Sequence, residues 1–335
     1  MTERKLVSIQ RIAEVKTIQN ADLIQAYRIN GWWVIGKKDE FIVGDLVVYL
    51  EVDSFVPTGL APFLSKGKEP RQYLGIKGER LRTIKLKGQL SQGLILHSDV
   101  VSCMDCDLSE GVDVTAHLGI IKWEPPAEFM SADAKGLFPA FIPKTDQERI
   151  QNLPFEFNEW KINSSMWQIT EKLDGSSLTA YVNGEESGVC SRNLDLKDDD
   201  TNTWWKLAKQ YELIQKIKST GKNLAIQGEI YGSSINGNLY SLQDQRFAMF
   251  SAFCIDTQSY LLPEATLELA ESLSIPHVPV IGYTMLTGTV QDTLDEADGA
   301  SSINPKSIRE GFVYKNTKSN DSFKAIGNSY LLKKG

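Results

Sequence analysis

Lys172 lies in the run Thr170-Glu171-Lys172-Leu173-Asp174-Gly175-Ser176-Ser177. Before it, Met166-Trp167-Gln168-Ile169 alternates as a half-buried strand does, and Ser177 to Val182 alternates again. The lysine therefore ends one strand at a tight glycine turn into the next. An amine held there reads as a nucleophile; the plain alternative is a solvated turn lysine, since K-x-D-G occurs by chance in many chains. A free lysine has a pKa of ~10.4, so near pH 7.4 only about one in a thousand is the neutral amine. Nucleophilic use requires that balance to shift. Three units of depression correspond to ~4 kcal/mol, which a neighbouring cation can supply by disfavouring the ammonium.

Downstream, in order, come Ser191-Arg192-Asn193, Gln227-Gly228-Glu229-Ile230-Tyr231-Gly232 and Phe250-Ser251-Ala252-Phe253-Cys254-Ile255-Asp256. Glu310-Gly311-Phe312-Val313-Tyr314-Lys315 and Ser322-Phe323-Lys324-Ala325-Ile326 complete the series. With the lysine run, these stretches resemble motifs I, Ia, III, IIIa, IV and V of the lysine-dependent covalent nucleotidyltransferases. That superfamily contains the ATP-dependent RNA and DNA ligases and the capping enzymes. The resemblance spans about residues 144–335, and the ordered series is specific although each motif alone is not.

The resemblance implies that Lys172 attacks the α-phosphate of ATP, giving a lysyl-adenylate with pyrophosphate as leaving group. Nucleotidyl transfer needs charge neutralised at the phosphates, so Glu229 and Glu310, with Asp174, are expected to hold Mg²⁺ or Mn²⁺, in part through water. Glu229 would also lie near the ribose. Arg192 and Lys324 would bind phosphate oxygens, the first as a fork and the second as a point charge. Lys324 would also help tune Lys172. Phe253 would stack on the adenine, the backbone at Glu171 would read the adenine edge, and Arg149 would sit near the phosphates. The plain alternatives are exposed strand carboxylates, surface cations and a core phenylalanine; Gly228 and Gly311, which would let a backbone approach a ligand, favour the functional reading. One departure is Ile326, which stands where the pattern has a second motif V lysine.

The elements that must position these residues form two domains. The chain has 335 residues, 41% hydrophobic and 24% charged, enough for two cores. Its net charge of −7 requires any polyanion to meet a local basic surface. No apolar run approaches the ~20 residues that span a bilayer, so no membrane association and a cytoplasmic location are expected. Cys103 and Cys106 make one C-x-x-C with no second pair at zinc spacing, and the four cysteines suggest no disulfide framework. Three scattered histidines speak against histidine catalysis.

The overall class expected is α+β: an N-terminal OB-like β-barrel followed by a nucleotidyltransferase domain with antiparallel sheets and peripheral helices. Residues 1–101 read as short strands separated by turn signals such as Asn30-Gly31, with a register slip near Thr83 that suggests a β-bulge. Residues 102–143, with several prolines and no sustained period, read as a connector, and 144–335 as the adenylyltransferase domain. Within the latter, 144–152 reads as a short helix with a capping box, and Trp204 to Ile217 as one longer helix. A barrel placed before the catalytic motifs, not after them, resembles the fifth ATP-dependent RNA ligase family. NAD is not the expected adenylate donor, since no nicotinamide-recognising domain precedes the motifs.

An OB module implies a nucleic-acid surface. Lys66, Lys68, Arg71, Lys77, Arg80, Arg82, Lys85 and Lys87, opposed only by Glu69 and Glu79, make a basic stripe on an acidic chain. Of Trp32 and Trp33, adjacent on a strand, at most one can be an exposed stacking platform; Tyr73 is another candidate. The expected partners are RNA ends, or a nicked duplex with RNA on the 3′-OH side. A DNA nick-sealing ligase and a non-catalytic nucleic-acid end-binding protein are the alternatives.

Overall fold

The computed structural model describes residues 5–102, 108–123 and 134–334. Cys103 and Cys106 lie outside the described residues. The described chain divides into two compact units, one from 5–123 with 151–154 and 331–334, the other from 134–150 with 155–330.

The strands of the first unit are β1 (Val7–Arg11), β2 (Glu14–Thr17), β3 (Ile24–Ile29), β4 (Trp32–Lys37), β5 (Leu46–Leu50), β6 (Ser54–Pro57), β7 (Arg71–Tyr73), β8 (Ile76–Arg80), β9 (Thr83–Leu86), β10 (Gln89–Gln92), β11 (Leu94–His97) and β12 (Ile121–Lys122), with helix α1 (Asp99–Ser102) after β11. β5 pairs with β1 on one side and β11 on the other. It is buried on both faces. Val48 and Leu50 enter a core with Val7, Ile9 and Val56, while Val47 and Tyr49 enter a second with Tyr27, Trp32 and Val34. Two-sided burial explains why Leu46 to Leu50 reads as an unbroken apolar run. Trp32 is fully buried, whereas Trp33 points the other way with Lys16 and Arg28 above its ring at 5.8 and 5.9 Å.

The register slip near Thr83 is a change of sheet instead of a bulge. β8 pairs with β6 and β7, and after Leu81 is buried the chain enters the β9–β10 hairpin. Residues 108–123, read as part of a connector, place Val114, Leu118 and Ile120 in the first core, and β12 pairs with β6. This burial runs through turns, which leave no period to read.

The second unit has two sheets. Its strands are β13 (Ala134–Leu137), β14 (Glu148–Arg149), β15 (Met166–Lys172), β16 (Ser176–Asn183), β17 (Glu186–Cys190), β18 (Leu194–Leu196), β19 (Leu224–Gly232), β20 (Gln245–Cys254), β21 (Ser259–Tyr260), β22 (Val280–Met285), β23 (Gly311–Asn316) and β24 (Ser322–Ile326). The helices that follow α1 are α2 (Pro154–Ile162), α3 (Thr203–Gln210), α4 (Leu213–Ser219), α5 (Pro263–Ser272), α6 (Val290–Ala297) and α7 (Asn328–Lys334). One sheet has the order β13-β18-β17-β16-β19-β20-β21 and the other β14-β24-β23-β15-β22. Helices α3, α4 and α5 cover one face of the larger sheet, where Leu178, Ile226 and Phe247 meet Leu207, Ile217 and Ala270. Each such large side chain contributes ~1.5–3 kcal/mol relative to exposure. On the smaller sheet, Trp160 of α2 stacks on Phe323 at 5.8 Å.

Two helix expectations change. The stretch from Trp204 to Ile217 breaks into α3 and α4 because Glu212 adopts a left-handed conformation with φ 55°. The stretch at 144–152 is not an α-helix: Glu148 and Arg149 pair parallel with Phe323 and Lys324 of β24, and a 3₁₀ turn follows. Strand pairing outweighs the local capping pattern, and it sets Arg149 beside Lys324.

Candidate active site

Lys172 stands where the chain leaves one sheet of the second unit for the other. β15 ends at Lys172 in the smaller sheet, and after Leu173-Asp174-Gly175 the chain begins β16 in the larger one. The crossing is anchored by Leu173, buried with Tyr231, Tyr240 and Val278. Gly175 is required there because a Cβ would come within 2.1 Å of the Ile230 carbonyl oxygen. Across β15 and β23, Lys172 faces Gly311, which brings Glu310 to the amine; across β16 and β19, Ser177 faces Glu229. Gly228 and Gly311, read as making room for a ligand, instead make room for protein. A Cβ at Gly228 would meet the Phe247 ring at 2.4 Å, and one at Gly311 the Ala325 carbonyl oxygen at 2.1 Å.

The Lys172 Nζ lies 2.8 Å from Glu310 Oε1. Burial alone would lower the Lys172 pKa, but the Glu310 and Glu229 carboxylates outweigh it and hold the amine above its ordinary value. Lys324 does not depress the amine here; the carboxylates prevail, and the expected divalent metal would have to supply the depression. Burial, opposed by Lys172 and reinforced by Glu310 and Asp174, pushes Glu229 up to about 8. Burial also raises Glu310, against the pull of Lys172. Lys172 is held as an ammonium beside carboxyl groups that resist ionising together.

Asp174 is buried. Its Oδ1 accepts from Asn236 Nδ2 at 3.2 Å, and its backbone N–H donates to the Tyr240 hydroxyl at 2.6 Å. Tyr330 of α7 also hydrogen-bonds to Asp174. Burial of Glu229, Glu310 and Asp174 around one amine, with oxygen donors only, suits a hard divalent cation, which would relieve their mutual repulsion. Among the described residues no three His, Cys, Asp or Glu side chains are arranged to hold a metal ion directly.

Lys324 Nζ is 2.5 Å from Asp146 Oδ1, and Arg192 Nη2 is 3.1 Å from Asp146 Oδ2. Lys324 and Arg192 thus converge on one carboxylate, from a loop residue that no sequence pattern marks. Arg149 is buried on β14 opposite Lys324. Glu171, one residue before the nucleophile, is clamped: its carboxylate accepts from the Ser301 hydroxyl at 2.5 Å and from both the backbone N–H, at 2.8 Å, and the hydroxyl of Ser302. Its own N–H donates to the Pro279 carbonyl at 2.9 Å.

Phe253 is not placed to receive a base. It is 3% exposed, packed with Ile142, Tyr181 and Cys190 and edge-on to Tyr260. Phe250 lies at a register shift in which Gln227 and Gly228 pair with Ser251 and Met249 and leave Phe250 without a cross-strand partner. It is half-buried and packs on the cluster that holds Leu173. Lys315 lies 5.9 Å from its ring and donates to its carbonyl and, at 2.7 Å, to the Ser251 hydroxyl. Burial lowers the Lys315 pKa to about 8. A period-2 reading cannot tell Phe250 from Phe253, because the bulge reverses which side chain faces which side.

In the first unit, Lys66, Lys68, Lys85 and Lys87 are exposed. Lys77 pairs with Glu69 at 2.9 Å and Arg71 with Glu79 at 3.6 Å. Arg80 pairs with Asp53 at 2.7 Å and lies 4.1 Å from the Trp123 ring. Arg82 has its pKa lowered by burial and by the nearby Arg80 and Arg71 guanidiniums, the mark of a concentrated positive charge. Asp53 was not foreseen as a partner, being distant in sequence.

The RNA ligase family model matches residues 165–326, and an OB-fold domain model matches residues 6–98. Among solved structures, the chain is similar to a mutant of the Naegleria gruberi RNA ligase in its apo form, with 41% identity, a TM-score of 0.93 and 99% of each chain covered. It is likewise similar to a mutant of that ligase with ATP and Mn, at 41% identity, a TM-score of 0.92 and coverage of 98% of this chain and 99% of that chain. The Naegleria gruberi ligase with PPi matches at 41% identity and a TM-score of 0.92, over 99% of each chain. No curated protein sequence matches the chain. A similarity running from end to end, with an OB-fold domain ahead of a ligase domain, decides the lineage: the chain belongs to the RNA ligase family.

Proposed function

We propose that this protein seals RNA 3′-OH and 5′-phosphate ends at the expense of ATP, with Lys172 as the covalent nucleophile. The observation that carries the reading is one amine at a sheet crossing, paired with Glu310 and surrounded by Glu229 and Asp174, in the unit where Lys324 and Arg192 converge on a shared anion. ATP and a divalent metal accompany the Naegleria gruberi ligase in its structures, and the same ligands suit these residues.

In the first step the Lys172 nitrogen forms a bond to the α-phosphorus and the bond to pyrophosphate breaks. The amine must first lose its proton and its ion pair with Glu310. Glu229, Glu310 and Asp174 would hold a divalent cation, whose charge would offset theirs and favour the neutral Lys172 amine. Lys324 and Arg192 hold phosphate oxygens, with Arg149 behind them. Glu171, fixed by Ser301 and Ser302, holds the end of β15 and so the direction of the amine. Phe250 is the side chain we assign to the adenine face, in place of Phe253. AMP then passes from Lys172 to the 5′-phosphate of RNA, and attack by the 3′-OH releases AMP and leaves the phosphodiester.

The basic surface of the first unit is the proposed contact for the RNA backbone, and a nicked duplex with RNA on the 3′-OH side is the substrate we favour. Incubation with α-labelled ATP and Mn²⁺ should leave acid-stable label on the protein that Lys172→Ala abolishes. An unlabelled wild-type protein overturns the reading. A panel of nicks with RNA or DNA on each side then tests the substrate; equal sealing of an all-DNA nick removes the preference for RNA.

A further inference from the structure

Lys324 is buried, with a side chain 11% exposed, and a buried ammonium needs an anion at all times to offset its lost hydration. One such anion is Asp146, whose two oxygens separately engage Lys324 and Arg192. A carboxylate offers two acceptor oxygens to a pair of cations much as a phosphoryl group does. We propose that Asp146 is a displaceable stand-in for phosphate: it holds the two phosphate-binding cations in place until the triphosphate of ATP pushes it aside. This inference rests on the reading of the site as an ATP-dependent ligase.

The placement of Asp146 supports displacement over permanent residence. Lys324 sits on β24, but Asp146 lies in the irregular stretch 143–147. That stretch is tethered near both ends, by Gln227 Nε2 donating to the Pro143 carbonyl at 2.9 Å and by the start of β14 at Glu148. Lys144 Nζ also donates to Asn193 Oδ1 at 2.8 Å, beside Arg192. The backbone can therefore stay in place while the Asp146 side chain rotates. The Asp146 side chain is 37% exposed, far more than Lys324, so a polyanion arriving from solvent meets the carboxylate before the buried ammonium. Retaining Asp146 next to bound phosphates would also oppose like charges, which favours exchange over sharing.

A carboxylate that competes with the ligand must weaken its binding, whereas one that merely positions the cations must strengthen it. The full chain and its Asp146→Asn and Asp146→Ser variants can be titrated calorimetrically with inorganic pyrophosphate, with melting followed in parallel. We expect pyrophosphate to bind the variants about tenfold more tightly, the order of one charge-assisted hydrogen bond. The variants should melt lower than wild type without ligand and gain more from pyrophosphate. Inorganic phosphate should also compete better in the variants, because the stand-in excludes small anions. Equal or weaker pyrophosphate binding by folded variants overturns the proposal. If the wild type is labelled by ATP and the variants bind no tighter, only this inference fails; an unlabelled wild type sinks the ligase reading itself.

Discussion

At the scale of single residues, Lys172 sits in a conflict of charges, and the proposed chemistry would depend on it. The amine is held above its ordinary pKa by Glu310 and Glu229, and Glu229 is itself pushed up to about 8 by burial. Replacing Glu310 by Gln removes the nearest carboxylate and leaves burial to act, so the Lys172 pKa should fall. Each pH unit of that fall raises the neutral fraction about tenfold. We expect E310Q to make Lys172 more reactive toward an amine-directed reagent at pH 8, read by mass spectrometry, while adenylylation drops by about 100-fold for want of the carboxylate. Unchanged Lys172 labelling would show that Glu310 does not govern the amine. Glu229 gives a second test. Its folded-state pKa lies above the unfolded value, so between pH ~4.5 and 8 the native state binds more protons than the unfolded one, and stability contributed by this group falls as pH rises. The metal-free protein should lose melting temperature from pH 5 to 8, with Glu310 acting in the same direction. E229Q should flatten that slope and melt higher than wild type at pH 8; a parallel slope in the two proteins contradicts the assignment. For the adenine, Phe250→Ala should raise the ATP KM at least about tenfold with a small change in melting. Phe253→Ala should instead cost ~3–5 kcal/mol of stability, because its ring is core.

At the scale of elements, strand pairing beside Lys172, Glu229 and Glu310 depends on close backbone approaches within each sheet. Gly175 and Gly311 each face a carbonyl oxygen 2.1 Å from where a Cβ would be. Gly311→Ala should therefore destabilise the second unit by about 3 kcal/mol or more, since the obstacle is backbone and cannot rotate away. Denaturation measured by circular dichroism decides; a loss under about 1 kcal/mol would mean that β23 and β24 can part without penalty. The helical layer offers a change of the opposite sign. Glu212 holds a left-handed conformation between α3 and α4, a strain that glycine does not feel. Glu212→Gly should stabilise by about 0.5–1 kcal/mol, and a destabilised variant would show that its side chain matters more than its backbone.

At the scale of the whole chain, an acidic protein of net charge −7 must attract a polyanion through local charge. The exposed lysines of the β9–β10 hairpin, Lys85 and Lys87, and the arginine group of Arg71, Arg80 and Arg82 are where that charge concentrates in the first unit. Arg80 is held by Asp53 and Trp123, so it shapes the surface more than it reaches from it. Substituting Lys85 and Lys87 together by Ala should weaken RNA binding and reduce the salt slope by about 1 for each phosphate that the protein no longer neutralises. A filter-binding series over salt measures it, and an unaltered slope moves the RNA elsewhere.

The order of the motifs was readable from sequence because Lys172, Glu229, Glu310 and Lys324 are each marked by local pattern: a strand end, a glycine beside a carboxylate, an alternation. The strand content of the first unit was readable for the same reason, since β-periodicity and turn residues are short-range signals. Three things belonged to the tertiary structure alone. Asp146, Ser301 and Ser302 act only because distant segments bring them to Lys324, Arg192 and Glu171, and nothing in their neighbourhoods announces it. Arg149 reaches Lys324 on a parallel strand pair that overrode a local helix signal. Phe250 packs on the cluster that holds Leu173 while Phe253 is core, a difference that comes with one bulge in β20 and that the sequence does not mark. Local preferences write the elements and their residue types into the chain. The ionisation of Lys172 and the company kept by each cation depend on burial and on charges from across the fold, which exist only once the sheets have packed.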